Sequence, residues 1–352
     1  MSLAVSELPI HARSYGGDEH GLVYGYLFRP ESEPLPLASA EAALAAIARG
    51  RAAQDEAGAV VWLHFNLGNA RAEAWLRAHA ALNEDFFDAL HQGSRATRIE
   101  RDGEAFFAVI NDVTFDFTFE VSDVATLWMS VAEHLVITAR RQPLRSVDRL
   151  KNSIGRHVRI ESSTALLHHL LRDQADELQK IIRQSTERID DIEEEMITGV
   201  HGKHKAELAR MRRLMVRLRR LLTPEPGALA RTLARPPAWV GREDRDDLLQ
   251  ASDEFSLVLR DISSLQERIK LMQDEDSAKV AEENNRTLFV LTMVTVLALP
   301  INIVAGLLGM NVGGIPLAEH PHGFWVVVGV ITLCTVALAL YATHRIRSPQ
   351  GR

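Results

Sequence analysis

Apolar residues follow two rhythms along this chain. Up to about residue 140 they come in short bursts between polar turns, and from residue 146 onward they recur at helical spacing. In the first part, segments 21–28 (GLVYGYLF) and 58–67 (GAVVWLHFNL) predict strands, the second with period-two alternation in its latter half. Segment 29–36 reads as a turn-rich connection and the Ala-rich 38–49 as a helix. Two short helices are predicted over 69–79 and 84–90, with Asn69 as N-cap of the first. Strands follow at 97–100, 105–111 and 115–120, the first two joined by Asp102-Gly103, a favoured hairpin turn, and the last strand is 134–139. Strands mixed with helices make this an α/β domain.

The second part is helical. Segment 162–196 predicts a long amphipathic helix with Leu171, Leu178, Ile182, Ile189, Ile192 and Met196 on one side. Its far end is acidic, with Glu187, Asp190, Asp191, Glu193, Glu194 and Glu195 against Arg188, either a solvated face or a collector of divalent cations. A basic helix over 204–222 carries Arg210, Arg212, Arg213, Arg217, Arg219 and Arg220, and Pro224 and Pro226 are expected to end it. Its arginines are expected to pair with the preceding acidic helix in an antiparallel hairpin, ahead of contact with lipid headgroups. From residue 242, Leu248, Phe255, Ile262 and Ile269 recur every seven positions, with Ala251, Val258, Leu265 and Met272 three further along. Such a seam expects a helical partner in the same chain or a sister subunit, and it leads toward an apolar run as a stalk would. Near its end Asp274, Glu275, Asp276, Glu282 and Glu283 crowd together, where several copies would concentrate cations.

Segment 288–308 holds 21 uncharged residues, which at the helical rise span roughly 31 Å, about the hydrocarbon thickness of a bilayer. Segment 324–341 adds 18 more, and both runs are apolar all round. A hairpin in a lipid bilayer is therefore predicted. Arg286 precedes the first run and Arg345, Arg347 and Arg352 follow the second, while the loop 311–323 has no Lys or Arg. That asymmetry puts both termini in the cytoplasm and the loop outside. The predicted architecture is an α+β/α membrane protein: a cytosolic mixed α/β domain (1–145), a helical region with acidic and basic helices (146–241), a coiled stalk helix (242–286), a first transmembrane helix (287–311), a periplasmic loop (312–323), a second transmembrane helix (324–343) and a cytosolic tail (344–352).

Composition narrows the classes. A net charge of −7 argues against nucleic acid as a partner, and the lone cysteine, Cys334, excludes a disulfide framework or cysteine-built zinc site and suits a reducing cytoplasm. The first 30 residues show no signal peptide. Neither a glycine-rich phosphate loop nor a GxSxG elbow is present, so neither an enzyme nor a bound cofactor is expected. His64, Asn66, His134, Arg140 and Arg141 read as strand-edge and loop residues.

Polar residues of the first span are aligned. Asn285, Thr292, Leu299 and Gly306 lie seven apart, and Leu288, Thr295, Asn302 and Gly309 repeat three after each. In a left-handed assembly these positions form one face, so Thr292, Thr295 and Asn302 can look toward a common axis and hold water around an ion. The competing reading is helix packing, since threonines bond back to their own helix. Phe289, Met293, Val296 and Ile303 take other faces, and Pro300 leaves the carbonyl of Val296 without its helical donor. Two spans enclose no pore, so permeation requires several copies. In the outer loop His320, His322 and Glu319 are the only soft or acidic candidates near the mouth, with a solvated loop as the alternative.

The first span ends in Gly309-Met310-Asn311, followed by Val312-Gly313-Gly314-Ile315-Pro316. In this position, after a stalk and before a second span, the tripeptide resembles the signature of the CorA-type divalent-cation transporter superfamily, and the extension GMNVGGIP resembles its zinc-transporting ZntB branch. The resemblance implies a homopentamer in the bacterial inner membrane, with five copies of the first span around a pore. It implies that Asn311 supplies a ring of amides at the outer mouth, that Gly309 permits close backbone approach and that Met310 braces the loop. Asn302 then matches a polar pore position, Leu299 the start of a hydrophobic constriction and Asn285 the cytoplasmic end. A neutral amide suits the shell of a hydrated divalent ion, whether Zn²⁺ or Mg²⁺, so zinc preference and proton-coupled uptake rest on the resemblance alone. A Mg²⁺, Co²⁺ or Ni²⁺ channel of the same build and a non-conducting scaffold or metal sensor are the alternatives.

Overall fold

The structure, a computed structural model, describes residues 16–52, 58–91, 97–120, 122–154, 159–199, 202–310 and 320–347. The chain divides into two compact units, Met1–Asp274 and Glu275–Arg352.

In the first unit, β1 (Leu22–Phe28), β2 (Leu35–Leu37), α1 (Ala40–Ala52), β3 (Val60–Asn66), α2 (Ala72–His79) and α3 (Glu84–His91) precede the hairpin β4 (Arg98–Asp102) and β5 (Ala105–Val113). Then come β6 (Val124–Val131), β7 (Leu135–Arg140), α4 (Arg145–Ile154), α5 (Ser163–Ile197), α6 (Lys205–Leu222), α7 (Pro224–Leu233) and α8 (Arg242–Leu308), which continues into the second unit. The described strands form one sheet in the order β2-β1-β3-β7-β6-β5-β4. All its pairings are antiparallel except β3 with β7.

Both faces of the sheet are covered. Val61, Leu63 and Phe65 of β3 pack with α1, α2 and α3, and Val60 and Trp62 pack with α4, α5, α7 and the start of α8. This is why the expected alternation in 58–67 is absent: six of the seven residues of β3 are buried, as in a strand with helices on both sides. The hairpin turn sits one residue later than expected. Asp102 pairs with Ala105, and Gly103 takes φ +60° at the first turn position, a conformation that glycine adopts at no steric cost.

Several local expectations are corrected. Asn69 does not cap α2; the N-cap is Arg71, and the Asn69 Oδ1 accepts from the Arg71 N–H at 2.9 Å, closing a turn before the helix. Segment 115–120 is a loop, because the Asp123 Oδ2 accepts from the backbone N–H of Thr118 and Glu120 at 2.6 and 3.0 Å. The strand lies just after it, at β6, whose mixture of small and large residues hides the pattern. β2 falls within the supposed connection. Pro224 ends α6 but opens α7, where a first-turn proline lacks only an N–H that would be unpaired anyway.

The heptad seam finds its partners within the chain. Leu248 and Ala251 join the core beneath the sheet, and Phe255, Val258, Ile262, Leu265, Ile269 and Met272 are buried against α5 and α6. Ser162 caps α5, its Oγ accepting from the Ala165 N–H at 3.0 Å. Among the described residues no arginine of α6 pairs with the acidic end of α5. Asp190 is bridged at 2.6 Å by Arg268 of α8, which also holds Glu193, and Glu195 meets Lys203 and His204 at 3.1 and 2.9 Å. The ion pair between the two helices runs the other way, from Arg188 of α5 to Glu207 of α6 at 2.7 Å.

The second unit contains the apolar end of α8 and the helix α9 (Gly323–Arg347). α8 passes the length and composition requirement for crossing a membrane, and a shorter apolar stretch covers Gly323–Ala337.

Candidate permeation site

The apolar end of α8 has two unlike sides. Leu297, Ile301, Val304 and Leu308 are half-buried and, with Val327, Val330 and Ile331 of α9, line a groove of about 550 Å³. The other side carries Asn285, Leu288, Thr292, Thr295, Leu299, Asn302, Gly306 and Gly309, and every one of these is exposed. The polar residues therefore stand away from the helix that follows. Among the described residues of the unit nothing covers them.

Thr292 Oγ1 donates to the Leu288 carbonyl at 2.8 Å, and Thr295 Oγ1 to that of Leu291 at 2.9 Å. Each hydroxyl thus satisfies its hydrogen within the helix, as threonine does in lipid, and presents only acceptor lone pairs outward. Together with the Asn302 amide these acceptors can orient water around a cation. Leu299 interrupts them with an exposed apolar side chain. Pro300 lies inside α8, and both it and Val296 line the groove toward α9.

α8 ends at Leu308. The Gly309 N–H donates to the Ala305 carbonyl at 3.0 Å, and a Cβ at Gly309 would stand 3.1 Å from that same oxygen. A larger residue would thus press on the last turn. Met310 follows with its side chain 51% exposed. Asn311 and Glu319 lie outside the described residues. The His322 N–H donates to His320 Nδ1 at 3.2 Å, and both side chains are exposed. Among the described residues no group of three or more His, Cys, Asp or Glu is arranged to hold a metal ion.

In the first unit the scattered polar residues are structural. His64 is buried and stacked 4.8 Å from Tyr24. The Thr138 hydroxyl accepts from Trp62 Nε1 at 2.9 Å, donates to the Leu63 carbonyl at 3.3 Å and lies 2.8 Å from His64 Nδ1. Its own hydrogen is used, so Nδ1 is the donor, and Nε2 accepts from Arg140 Nε at 3.2 Å. Burial, with Arg140 and Lys151 nearby, lowers the pKa of His64 well below its usual value and keeps the ring neutral.

Residues 57–344 match the family described as CorA-like Mg2+ transporter protein. The chain is 27% identical over 311 residues to the divalent cation transporter CmaX of Pseudomonas aeruginosa, covering 88% of this chain and 91% of that protein. It is 22% identical over 283 residues to the zinc transport protein ZntB of Yersinia enterocolitica, covering 80% and 86%. The structure of full-length CmaX superposes with a TM-score of 0.76 at 26% identity, covering 94% of this chain and 99% of that one. That of the CorA magnesium transporter from Methanocaldococcus jannaschii gives 0.72 at 17% identity over 93% and 98%, a likeness of fold. With the sheet domain, the long helices, the apolar hairpin and a family match over most of its length, the chain belongs to the CorA-like Mg2+ transporter family.

Proposed function

We propose that this chain transports divalent metal cations across a membrane, through a pore made by five copies of the first span. The observation that carries the reading is the two-sidedness of α8: Thr292, Thr295 and Asn302 are exposed on the face opposite α9, in a chain of this family. Acceptors held at fixed positions on a helix can replace part of the second hydration shell without stripping the ion. Asn285 marks the cytoplasmic end, Leu299 forms the constriction, and Asn311, placed by Gly309 and Met310, forms the outer amide ring. The soluble part, the stalk to residue 286 and both termini are cytoplasmic, and the protein sits in the bacterial inner membrane.

Zinc is the proposed cargo, on the strength of the extension after Asn311 and the likeness to ZntB. The amide chemistry serves Mg²⁺, Co²⁺ or Ni²⁺ equally, and the broader name of CmaX favours this second reading. An inside-negative potential of 100 mV favours entry of a doubly charged ion by about 4.6 kcal/mol, so uptake needs no further energy source. Proton coupling would add to that drive. The test is flux into vesicles containing the purified protein, with Zn²⁺, Mg²⁺, Co²⁺ and Ni²⁺ in competition. Asn311→Ala is expected to abolish divalent flux while the assembled mass is kept. Full flux in that variant would remove the assigned role.

A further inference from the structure

Among the described residues of Met1–Asp274 the large apolar side chains left exposed are Leu35, Ile197, Val216, Leu257 and Leu271. Three of them stand on the outer faces of α6 and α8. Val216 is 42% exposed, and Arg212, Arg213, Arg219 and Arg220 occupy the neighbouring positions one turn before and after it. Leu271 is 60% exposed, with Glu267 and Arg268 one turn before and Asp274 and Glu275 one turn after, and Arg268 is taken up by Asp190 and Glu193 of its own chain. One helix thus carries an apolar knob in a basic ring, the other an apolar knob between acids.

The basic ring is unanswered. Among the described residues neither Arg213 nor Arg220 has an acidic partner, and the buried Nε of Arg217 has no acceptor. Beside them a groove of about 500 Å³ opens next to Val216 and Gln273. Height along the helices selects the complement. Arg212 donates to Gln273 at 3.1 Å and Arg219 to Gln266 at 3.4 Å, so Val216 is level with the stretch of α8 between those two glutamines. Leu271 lies in that stretch; Leu257, itself flanked by Asp253 and Asp261, lies two heptads away, about 21 Å along the helix.

From this placement we infer that the Val216 face of α6 docks on the Leu271 face of α8 in a second copy of this chain, with Arg213 and Arg220 meeting Glu267 and Asp274. The inference rests on the reading above that several copies surround a common axis, and adds that the part of α8 up to Asp274 runs along it. Rotation about such an axis keeps equal heights opposite one another. Because the two patches differ, each copy offers one to each neighbour, and the contact runs head to tail until the ring closes. Charge complementarity sets the register, and the two apolar knobs exclude water at its centre.

The test uses the full chain with Cys334→Ala. Chains bearing Val216→Cys and Leu271→Cys are co-expressed with different tags and oxidised in the membrane. A cross-linked pair carrying both tags is expected, with none when either variant is expressed alone. Separately, Arg213→Glu with Arg220→Glu is expected to lower the assembled mass in detergent, and adding Glu267→Lys and Asp274→Lys to restore it. A wild-type protein that is monomeric in detergent overturns the multi-copy reading itself. A wild-type ring with neither cross-link nor mass change overturns this interface alone. Loss of mass that the compensating pair fails to rescue, with helix content intact, assigns the arginines to another anion such as a lipid headgroup and likewise overturns it.

Discussion

Gln174 of α5 and Glu225 of α7 meet inside the protein, the Gln174 Nε2 donating to the Glu225 Oε2 at 3.5 Å. Thr97 Oγ1 donates to the same oxygen at 3.3 Å, and the other oxygen, Oε1, has no donor. Two long hydrogen bonds do not replace the water a carboxylate loses on burial. Burial therefore drives the pKa of Glu225 up to about 8, with the charge of Asp112 adding to the rise. At neutral pH this group is folded in with its proton on.

Stability should consequently fall as pH rises from about 6.5 to about 8. The folded state keeps the Glu225 proton to about pH 8, whereas the unfolded chain releases it near 4.5. Between those values folding takes up a proton, and each pH unit costs about 1.4 kcal/mol. Asp112 and Asp173, both raised to about 6, act in the same direction but below this window. Thermal melts of the wild type should drop across it, and those of Glu225→Gln should not. Parallel pH profiles for the two proteins would show that another group is responsible.

Asn302→Leu and Thr295→Val should separate conduction from folding. The Thr295 hydroxyl bonds only to its own helix at Leu291, and both side chains are exposed within the unit, so the melting temperature should hardly move. Divalent flux should fall several-fold with Thr295→Val and be lost with Asn302→Leu. Undiminished flux in both would favour a lipid-facing role.

Gly309→Ala brings a methyl group to 3.1 Å from the Ala305 carbonyl, so the last turn of α8 must give by a few tenths of an ångström. Reduced flux with normal assembly is expected, measured beside Gly306→Ala. Outside its own helix backbone a Cβ at Gly306 meets nothing within 4 Å among the described residues, so a loss there points to contact with a neighbouring copy.

Ile262→Ala should cost about 2–5 kcal/mol, because the side chain is fully buried between α5 and α6 and its removal leaves a cavity. Denaturant midpoints of the full protein would measure it. Arg268→Ala, which releases Asp190 and Glu193 from a partner 39% exposed, should cost about 1 kcal/mol or less and lose its effect in high salt.

The periodic elements were legible because one physical constraint wrote each of them. The seam from Leu248 to Met272 is buried as spaced, and the helices of residues 162–222 lie within a residue or two of expectation. The same spacing put Thr292, Thr295 and Asn302 on one side of the first span, where they stand exposed, and their part in a pore is the proposal above. Illegible were features fixed by long-range contact. β6 pairs with β5 and β7, its neighbours in the chain, but its mixture of small and large residues hides the period-two pattern. Asn69 has the chemistry of a cap, yet two residues separate it from the helix. The acids of α5 were expected to meet the arginines of α6, and only the packing of α8 on α5 brings Arg268 to Asp190 and Glu193. Leu257 and Leu271 fall outside the seam positions, so a reading that asks only which residues are buried passes over them.

The parallel pairing of β3 with β7 sets an order of events during synthesis. His64 and Thr138 face each other across it but are 74 residues apart in the chain. At a translation rate of about 5–20 residues per second, β3 waits some 4–15 s for the strand that completes it. Until then β3 is paired on one side only, with β1, and its other side is an open edge on the nascent chain. The apolar end of α8 and α9 leave the ribosome later still, so the sheet has time to close before they emerge.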